Sequence, residues 1–265
     1  MYVISGAAGF IGSALVARFN QEGINNLLLV DELKSSDRWK NLLGKRFCDY
    51  FHKEDFIDSL ERGELSPDIK GIVHLGACSS TLERDVDYLY RNNYLYTKRL
   101  ALFAMKNKIR FVYASSAATY GNGSLGYDDA EDKIPSLAPL NPYGFSKQLF
   151  DLWAFENKHF SKICGIKFFN VFGPNEYHKE EMRSVVLKAY HQIKEFGVVK
   201  LFKSHRADFG DGEQRRDFIY VKDCTDVLLW LIRNPGVCGI YNLGTGKART
   251  WNDLVTSVYK ALGQA

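Results

Sequence analysis

Tyr143-Gly-Phe-Ser-Lys147 sets a phenol four residues before an ammonium, at the start of a helical stretch opened by Pro142. Residues at i and i+4 share a helix face, so the lysine sits beside the tyrosine. A free tyrosine titrates near ~10. The neighbouring cation is expected to lower that value and make a phenolate available as a general base. The spacing is common by itself, and Tyr94-Leu-Tyr-Thr-Lys98 repeats it where nothing else suggests chemistry. Tyr143 differs in its company. It follows Ser115-Ser116-Ala-Ala-Thr-Tyr-Gly121, just past an apolar strand, and open α/β sheets take their ligands at such strand ends.

A second constellation opens the chain. Gly6-Ala-Ala-Gly9-Phe-Ile-Gly12 stands between an apolar run and a helical pattern, and Asp31 ends the next apolar run 19 residues after Gly12. Glycines there allow a tight turn and a close approach of backbone to a pyrophosphate, and a helix N-terminus meets that anion with N–H groups. An acid at the end of the second strand accepts hydrogen bonds from an adenosine ribose. These features predict a dinucleotide site. Asp31 points to NAD, because a carboxylate repels the 2′-phosphate of NADP. Lys34, Arg38 and Lys53 offer a compensating positive pocket, and solvated surface charge is the other reading of the same residues.

The elements that must hold these groups are legible from hydrophobic periodicity. Strands are expected at Tyr2–Ser5, Leu27–Val30, Gly71–Leu75, Arg110–Ser115 and Ile163–Phe169, with helices around 11–22 and 88–106 and after Pro142. Such alternation means a doubly wound parallel sheet of Rossmann type, an α/β fold with both sheet faces covered. After Asn170 the rhythm changes: a helix over 180–196, a short strand at 200–202, a polar loop over 204–214, strands at 217–221 and 240–242, and helices from Asp223 and over 250–262. We expect a dinucleotide-binding domain over 1–170 and a smaller, partly interleaved substrate lobe over 171–265.

Composition narrows the classes. The chain has 265 residues, 46% hydrophobic and 25% charged, with a net charge of +4 and no run of like charges. That gives no support to nucleic-acid or membrane partners. No apolar run approaches the roughly 20 residues that cross a bilayer, and the first strand leaves no room for a signal peptide. The five cysteines form no CxxC and read as reduced thiols of a cytoplasmic protein. The histidines show no HExxH, so no metal is expected.

Taken in order, the glycine triplet, Asp31, the Ser115-Ser116 strand end, Tyr143 with Lys147, and Asn170-Val-Phe-Gly-Pro174 resemble the extended short-chain dehydrogenase/reductase family over essentially the whole chain. Further stretches are similar to its ADP-glyceromanno-heptose 6-epimerase branch. They are Gly76-Ala-Cys-Ser-Ser-Thr81, Tyr113–Gly121, His178-Lys179, Lys200-Leu-Phe202, Arg216-Asp-Phe-Ile-Tyr220 and Tyr241-Asn-Leu-Gly-Thr-Gly246. The resemblance implies an epimerase acting at C6″ of a nucleotide-linked heptose, with NADP as the usual cofactor (NAD being the alternative) and a homo-oligomer, in this branch a homopentamer. It implies catalytic roles for Ser116, Tyr143 and Lys147, with Lys179 as a second acid/base. Cofactor contacts are implied at Gly6, Gly9, Phe10, Ile11, Gly12, Asp31, Glu32, Arg38, Lys53, Leu75, Gly76, Ala77, Cys78, Ser79, Asn92, Tyr143, Lys147, Val171 and Lys179. Substrate contacts are implied at Ser116, Asn170, Glu181, Phe202, Ser204 and Arg216.

Departures from the branch pattern are also visible. Leu75 and Glu181 replace more polar or smaller residues, and Glu181 beside a diphosphate is unfavourable unless it turns away. The 204–214 loop is long, and members of the branch are longer than this chain, so part of the sugar pocket is expected beyond residue 265. Competing readings are a UDP-hexose 4-epimerase or a decarboxylase on the same scaffold, and a cofactor-sensing module without catalysis. A 4,6-dehydratase fits poorly, because Ser116-Ala117-Ala118 lacks the acid that would protonate the departing hydroxyl.

Overall fold

The structure, a computed structural model, describes residues 1–264 apart from Ser66, Pro67, Phe202, His205, Arg206 and Asp208. In chain order the strands and α-helices are β1 (Tyr2–Ser5), α1 (Phe10–Gln21), β2 (Leu27–Asp31), β3 (Asp49–His52), α2 (Lys53–Arg62), β4 (Gly71–His74), α3 (Val86–Leu89), α4 (Tyr96–Lys106), β5 (Arg110–Ser116), α5 (Pro142–Glu156), β6 (Ile163–Phe168), β7 (Asn170–Phe172), α6 (Val185–Phe196), β8 (Arg215–Tyr220), α7 (Val221–Arg233), β9 (Gly239–Leu243), β10 (Ala248–Thr250) and α8 (Trp251–Ala261). A π-helical turn, Tyr90–Leu95, joins α3 to α4.

Seven strands form a parallel sheet in the order β3-β2-β1-β4-β5-β6-β9. Successive residues of a strand point to opposite faces, and here both faces are buried. Val3, Leu28 and Val30 pack with Leu100, Phe111 and Phe150 on one side, while Ile4, Leu27 and Leu29 pack with Leu15, Phe19 and Leu228 on the other. This is why the strands read as unbroken apolar runs. The chain runs outward from β1 in both directions, to β2 and β3 and to β4 and beyond, so the topological switch point lies between β1 and β4.

After Asn170 the chain contributes to two places. β9 joins the edge of the main sheet beside β6, while β7, β8 and β10 make a separate three-stranded sheet. A small cluster of Ala189, Leu254 and Val255 binds α6 to α8.

Several boundaries differ from the sequence reading. β3 and α2 carried no clear periodic signal. The expected helix over 180–196 is a 3₁₀ turn, Tyr177–Met182, followed by α6, because Ser184 caps α6 by accepting from Leu187 N–H. No strand forms at Lys200 and Leu201. The Lys200 N–H donates to the Gln192 side chain rather than to a neighbouring strand.

Candidate active site

The cradle begins with glycines that have no room for side chains. Gly6 has φ +74°, and a Cβ there would lie 2.6 Å from the Gly76 nitrogen, because the ends of β1 and β4 touch at the switch point. A Cβ on Gly12 would lie 2.0 Å from the Gly6 carbonyl oxygen, so glycine is what lets α1 start directly against β1. Gly9 caps α1 without any side-chain bond, and the first turn of α1 holds no acidic residue. Its N–H groups are therefore left open to an anion, and the residues fit a dinucleotide pyrophosphate.

Asp31, at the end of β2, is fixed in place by backbone donors. It is 7% exposed, and its two carboxylate oxygens accept from the Ala8 N–H and the Glu32 N–H, each at 2.7 Å. Burial pushes its pKa up, opposed by those bonds and by Arg38, whose guanidinium stands 3.6 Å away. Glu32 is paired with Lys53 at 3.1 Å and Lys34 at 3.4 Å. Lys53 also donates to Asn92 at 2.7 Å. Asn93, a buried amide, accepts from the Cys78 N–H and donates to the Cys78 carbonyl and the Ser146 hydroxyl, so it ties the turn after β4 to α5.

The reacting groups come from β5 and α5. Asn141 caps α5 by accepting from Gly144 N–H, and Pro142 occupies the first turn. A Cβ on Gly144 would lie 2.8 Å from the Ala118 carbonyl, so this glycine allows α5 to press against the turn after Ser116. The Ser116 hydroxyl accepts from Ala118 N–H and favours the ionised form of the Tyr143 phenol. Lys147 is buried and donates to the Ala114 carbonyl at 2.8 Å.

Burial and nearby anions act together at the phenol. Tyr143 is pushed above the usual tyrosine range chiefly by lost hydration, with the Ser116 hydroxyl opposing and Cys78 and Asp151 adding to the rise, so the direction is opposite to the lowering expected from sequence. Lys147 itself is drawn down to about 8, chiefly by burial, with Asp151 and Cys78 pulling the other way. Lys179 is likewise lowered by burial and by Arg38, and its ammonium lies 5.4 Å over the Phe10 ring. The 3₁₀ turn that carries Lys179 is anchored on the cradle side: Asn41 donates to the Ala8 and Asn175 carbonyls and meets His178 Nδ1 at 3.1 Å.

One cleft of about 380 Å³ gathers these groups. Every residue assigned to the cofactor from sequence lines it except Val171, and Tyr143, Lys147 and Lys179 line it too. Ser116 does not line it; its neighbour Ser115 does. The proposed sugar contacts are not drawn together in the same way. Asn170 is exposed and donates to the Asp217 carbonyl, while exposed Arg216 donates to the Arg215 carbonyl. The Ser204 N–H donates to Asp211. Glu181 turns outward, its side chain 88% exposed and 3.4 Å from Lys188. Phe202 lies outside the described residues. Sequence reading did not assign Tyr88, Tyr96, Met182 or His178 to the cleft. Only His178 had a signal, its place beside Lys179. The second Tyr-x-x-x-Lys is inert: Lys98 meets the Tyr94 hydroxyl at 3.3 Å and stacks on Trp153, away from the cleft.

A glycine cradle at the switch point of a parallel sheet, with a half-buried tyrosine and a buried lysine at the next strand end, defines a dinucleotide-dependent enzyme of the extended short-chain dehydrogenase type. Residues 2–244 match the model of the NAD dependent epimerase/dehydratase family, and the chain belongs to that family. It is 54% identical over 262 residues to the ADP-L-glycero-D-manno-heptose-6-epimerase of Nitratidesulfovibrio vulgaris, covering 99% of this chain and 81% of that one. The enzyme of the same name from Fusobacterium nucleatum is 47% identical, with 98% and 80% covered. Among solved structures, the Helicobacter pylori ADP-L-glycero-D-manno-heptose-6-epimerase superposes with a TM-score of 0.83 at 30% identity, covering 99% of this chain and 82% of that one.

Proposed function

We propose that the protein inverts C6″ of ADP-D-glycero-D-manno-heptose to give ADP-L-glycero-D-manno-heptose through a transient 6″-ketone, for the inner-core heptose of lipopolysaccharide. The observation that carries this reading is the placing of Tyr143 and Lys179 in one cleft with their proton affinities pushed in complementary directions. Relatives named for the same reaction, at up to 54% identity, support the choice of sugar.

A bound nicotinamide supplies the hydride acceptor and then the hydride donor, so the dinucleotide is recycled. The protein must manage the proton on the C6″ oxygen. Lys179, with its ammonium disfavoured by burial, takes the hydroxyl proton as the ketone forms. Tyr143, kept as a phenol by its dry setting and oriented by Ser116, gives a proton back to the same oxygen when hydride returns to the opposite face. The Lys147 ammonium steadies the negative charge left on Tyr143. The 171–265 lobe holds the nucleotide sugar, with Arg216 as a permanently charged donor to the diphosphate and Asn170 beside it.

NADP is the cofactor this reading assigns. Both Asp31 oxygens are engaged by backbone N–H groups and Glu32 is neutralised by two lysines. Arg38, which meets Asp31 only at 3.6 Å, is the cation this reading assigns to a 2′-phosphate. Five free thiols suit a reducing cytoplasm, and the active unit is assigned as a homo-oligomer.

The test is to incubate the purified protein with ADP-D-glycero-D-manno-heptose, without added cofactor, and follow the C6″ epimer ratio by NMR. Movement toward the L-glycero epimer is expected. An unchanged ratio after NADP has also been added sinks the heptose assignment. A UDP-N-acetylglucosamine 4-epimerase from Methanobrevibacter ruminantium shares the fold at a TM-score of 0.80, so UDP-hexoses are the control sugars and are expected to stay unchanged.

A further inference from the structure

Beneath the reacting groups lies a buried charge cluster that the proposed reaction leaves unused. Tyr143, Lys147 and Asp151 follow one another at i, i+4 spacing, so they form a single stripe along α5. Asp151 is fully buried and accepts three bonds: from the Tyr113 hydroxyl at 2.8 Å, the Ser115 hydroxyl at 2.6 Å and the Lys167 ammonium at 2.9 Å. Lys167, 1% exposed in the middle of an apolar strand, also donates to Thr119 at 2.7 Å and lies 5.1 Å over the Tyr120 ring. Thr119 in turn donates to the Ser116 carbonyl at 2.9 Å. The end of β5 is thereby bound to α5 on both sides of the catalytic serine.

A buried ion pair is a poor source of stability when apolar residues could fill the space, so its site demands another account. We propose that Asp151 and Lys167 form a positioning pair that sets the protonation and placement of Lys147, and through it Tyr143. Asp151 favours the Lys147 ammonium against the cost of burial. Lys167 shares that carboxylate, so Lys147 is not drawn off into a direct pair with it and keeps its bond to Ala114. The other groups facing Lys147 are Cys78 after β4, the buried His74 at the end of β4, and Tyr143 with Ser116. His74, held down to about 3, stays neutral over the working range.

This inference rests on the catalytic role assigned to Lys147, but its primary test needs no sugar. Lysine labelled at Cε with carbon-13 is titrated by NMR in the full chain, and the Lys147 signal is assigned through Lys147→Arg. Asp151→Asn is expected to lower the Lys147 midpoint by about one pH unit, by removing the nearby anion. Lys167→Met is expected to raise it by about as much, because removing a cation relieves repulsion on Lys147. The charge-balanced double variant Asp151→Asn/Lys167→Met is expected to return near the wild-type midpoint, and where one single variant does not fold, the shift of the other single variant carries the test. A pair that only braces the fold leaves the midpoint where it is in every folded variant. That result, or single shifts of the same sign, overturns the proposal. With substrate, kcat should follow the same opposed shifts in its alkaline limb while KM is unchanged. Absence of heptose turnover in the wild type would refute the substrate assignment and leave the titration standing.

Discussion

The dinucleotide side and the sugar side of this molecule are built by different rules. On the first, most predicted contacts belong to strand ends, turns and helix starts of one parallel sheet, and all of them but Val171 converge on one cleft. On the second, Asn170, Arg216, Ser204 and Glu181 sit on loops and a small sheet, largely exposed and bonded to nearby backbone or surface charge. Glycines at van der Waals contact fix the first side before any ligand arrives. The described sugar contacts are instead tied to neighbouring backbone or surface charge, which suits a surface completed by the nucleotide sugar itself.

The sharpest way to test that division is to remove the reacting groups from the rigid side. Tyr143→Phe is expected to cut kcat by about 10²–10⁴-fold, the span of a lost general acid, while titration with NADP shows unchanged affinity. Lys179→Met should lose a similar factor. Full activity in Tyr143→Phe would mean that the cleft binds a dinucleotide without using it. Next in size is Arg38→Ala. If its guanidinium meets the 2′-phosphate, NADP affinity falls about tenfold or more, the scale of one charge-assisted bond, and NAD affinity barely moves. Equal losses for the two dinucleotides would reassign Arg38 to holding Asp31.

The same division explains what could be read in the sequence. Gly6, Gly12 and Asp31 were legible because one strand–turn–helix makes their geometry, so spacing along the chain is spacing in space. Tyr143 was separated from its decoy Tyr94 by the preceding serines, again a local cue. Local cues fail where tertiary contacts decide. The direction of the Tyr143 shift is set by burial and by Cys78 and Asp151, which tertiary packing brings near it. β3 and α2 went unnoticed because β3 is a half-exposed edge strand, with no unbroken apolar run to announce it. Leu201 and Phe202 are apolar, yet the Lys200 N–H is bonded to Gln192 and no strand forms at Lys200 or Leu201.

A smaller effect compares a buried histidine of the cradle, His74, with a half-buried one, His178. His74 sits under the cradle, bonded to Ser5 at 3.0 Å and Thr97 at 2.8 Å, and burial with the nearby Lys147 holds it down to about 3. His178, on the turn carrying Lys179, is held down to about 4. A group whose folded pKa is depressed contributes stability that is present above its unfolded value, near ~6.5, and is lost as pH falls toward the folded value. Each should therefore add a slope of up to about 1.4 kcal/mol per pH unit to acid destabilisation. Urea unfolding from pH 7 to pH 4 is expected to show a flatter decline in His74→Gln than in wild type. His178→Gln should flatten it less, since a half-buried turn can open and protonate without global unfolding. Equal flattening would mean that the turn is as rigidly held as the cradle.

The smallest expected effect falls on Glu181, where sequence and structure disagree most. Its position in the family pattern assigns it to the substrate, but a carboxylate beside a diphosphate is repelled, and here it points to solvent toward Lys188. An exposed pair of this kind contributes little, so Glu181→Ala is expected to change kcat/KM by less than about twofold. Arg216→Ala, removing a charged donor from the proposed diphosphate site, should raise KM about tenfold with little change in kcat. Loss of tenfold or more in Glu181→Ala would show that the Tyr177–Met182 turn rearranges when sugar binds. Lys179 would then also reach its working position only in the complex, and the sugar side would be assembled by its ligand.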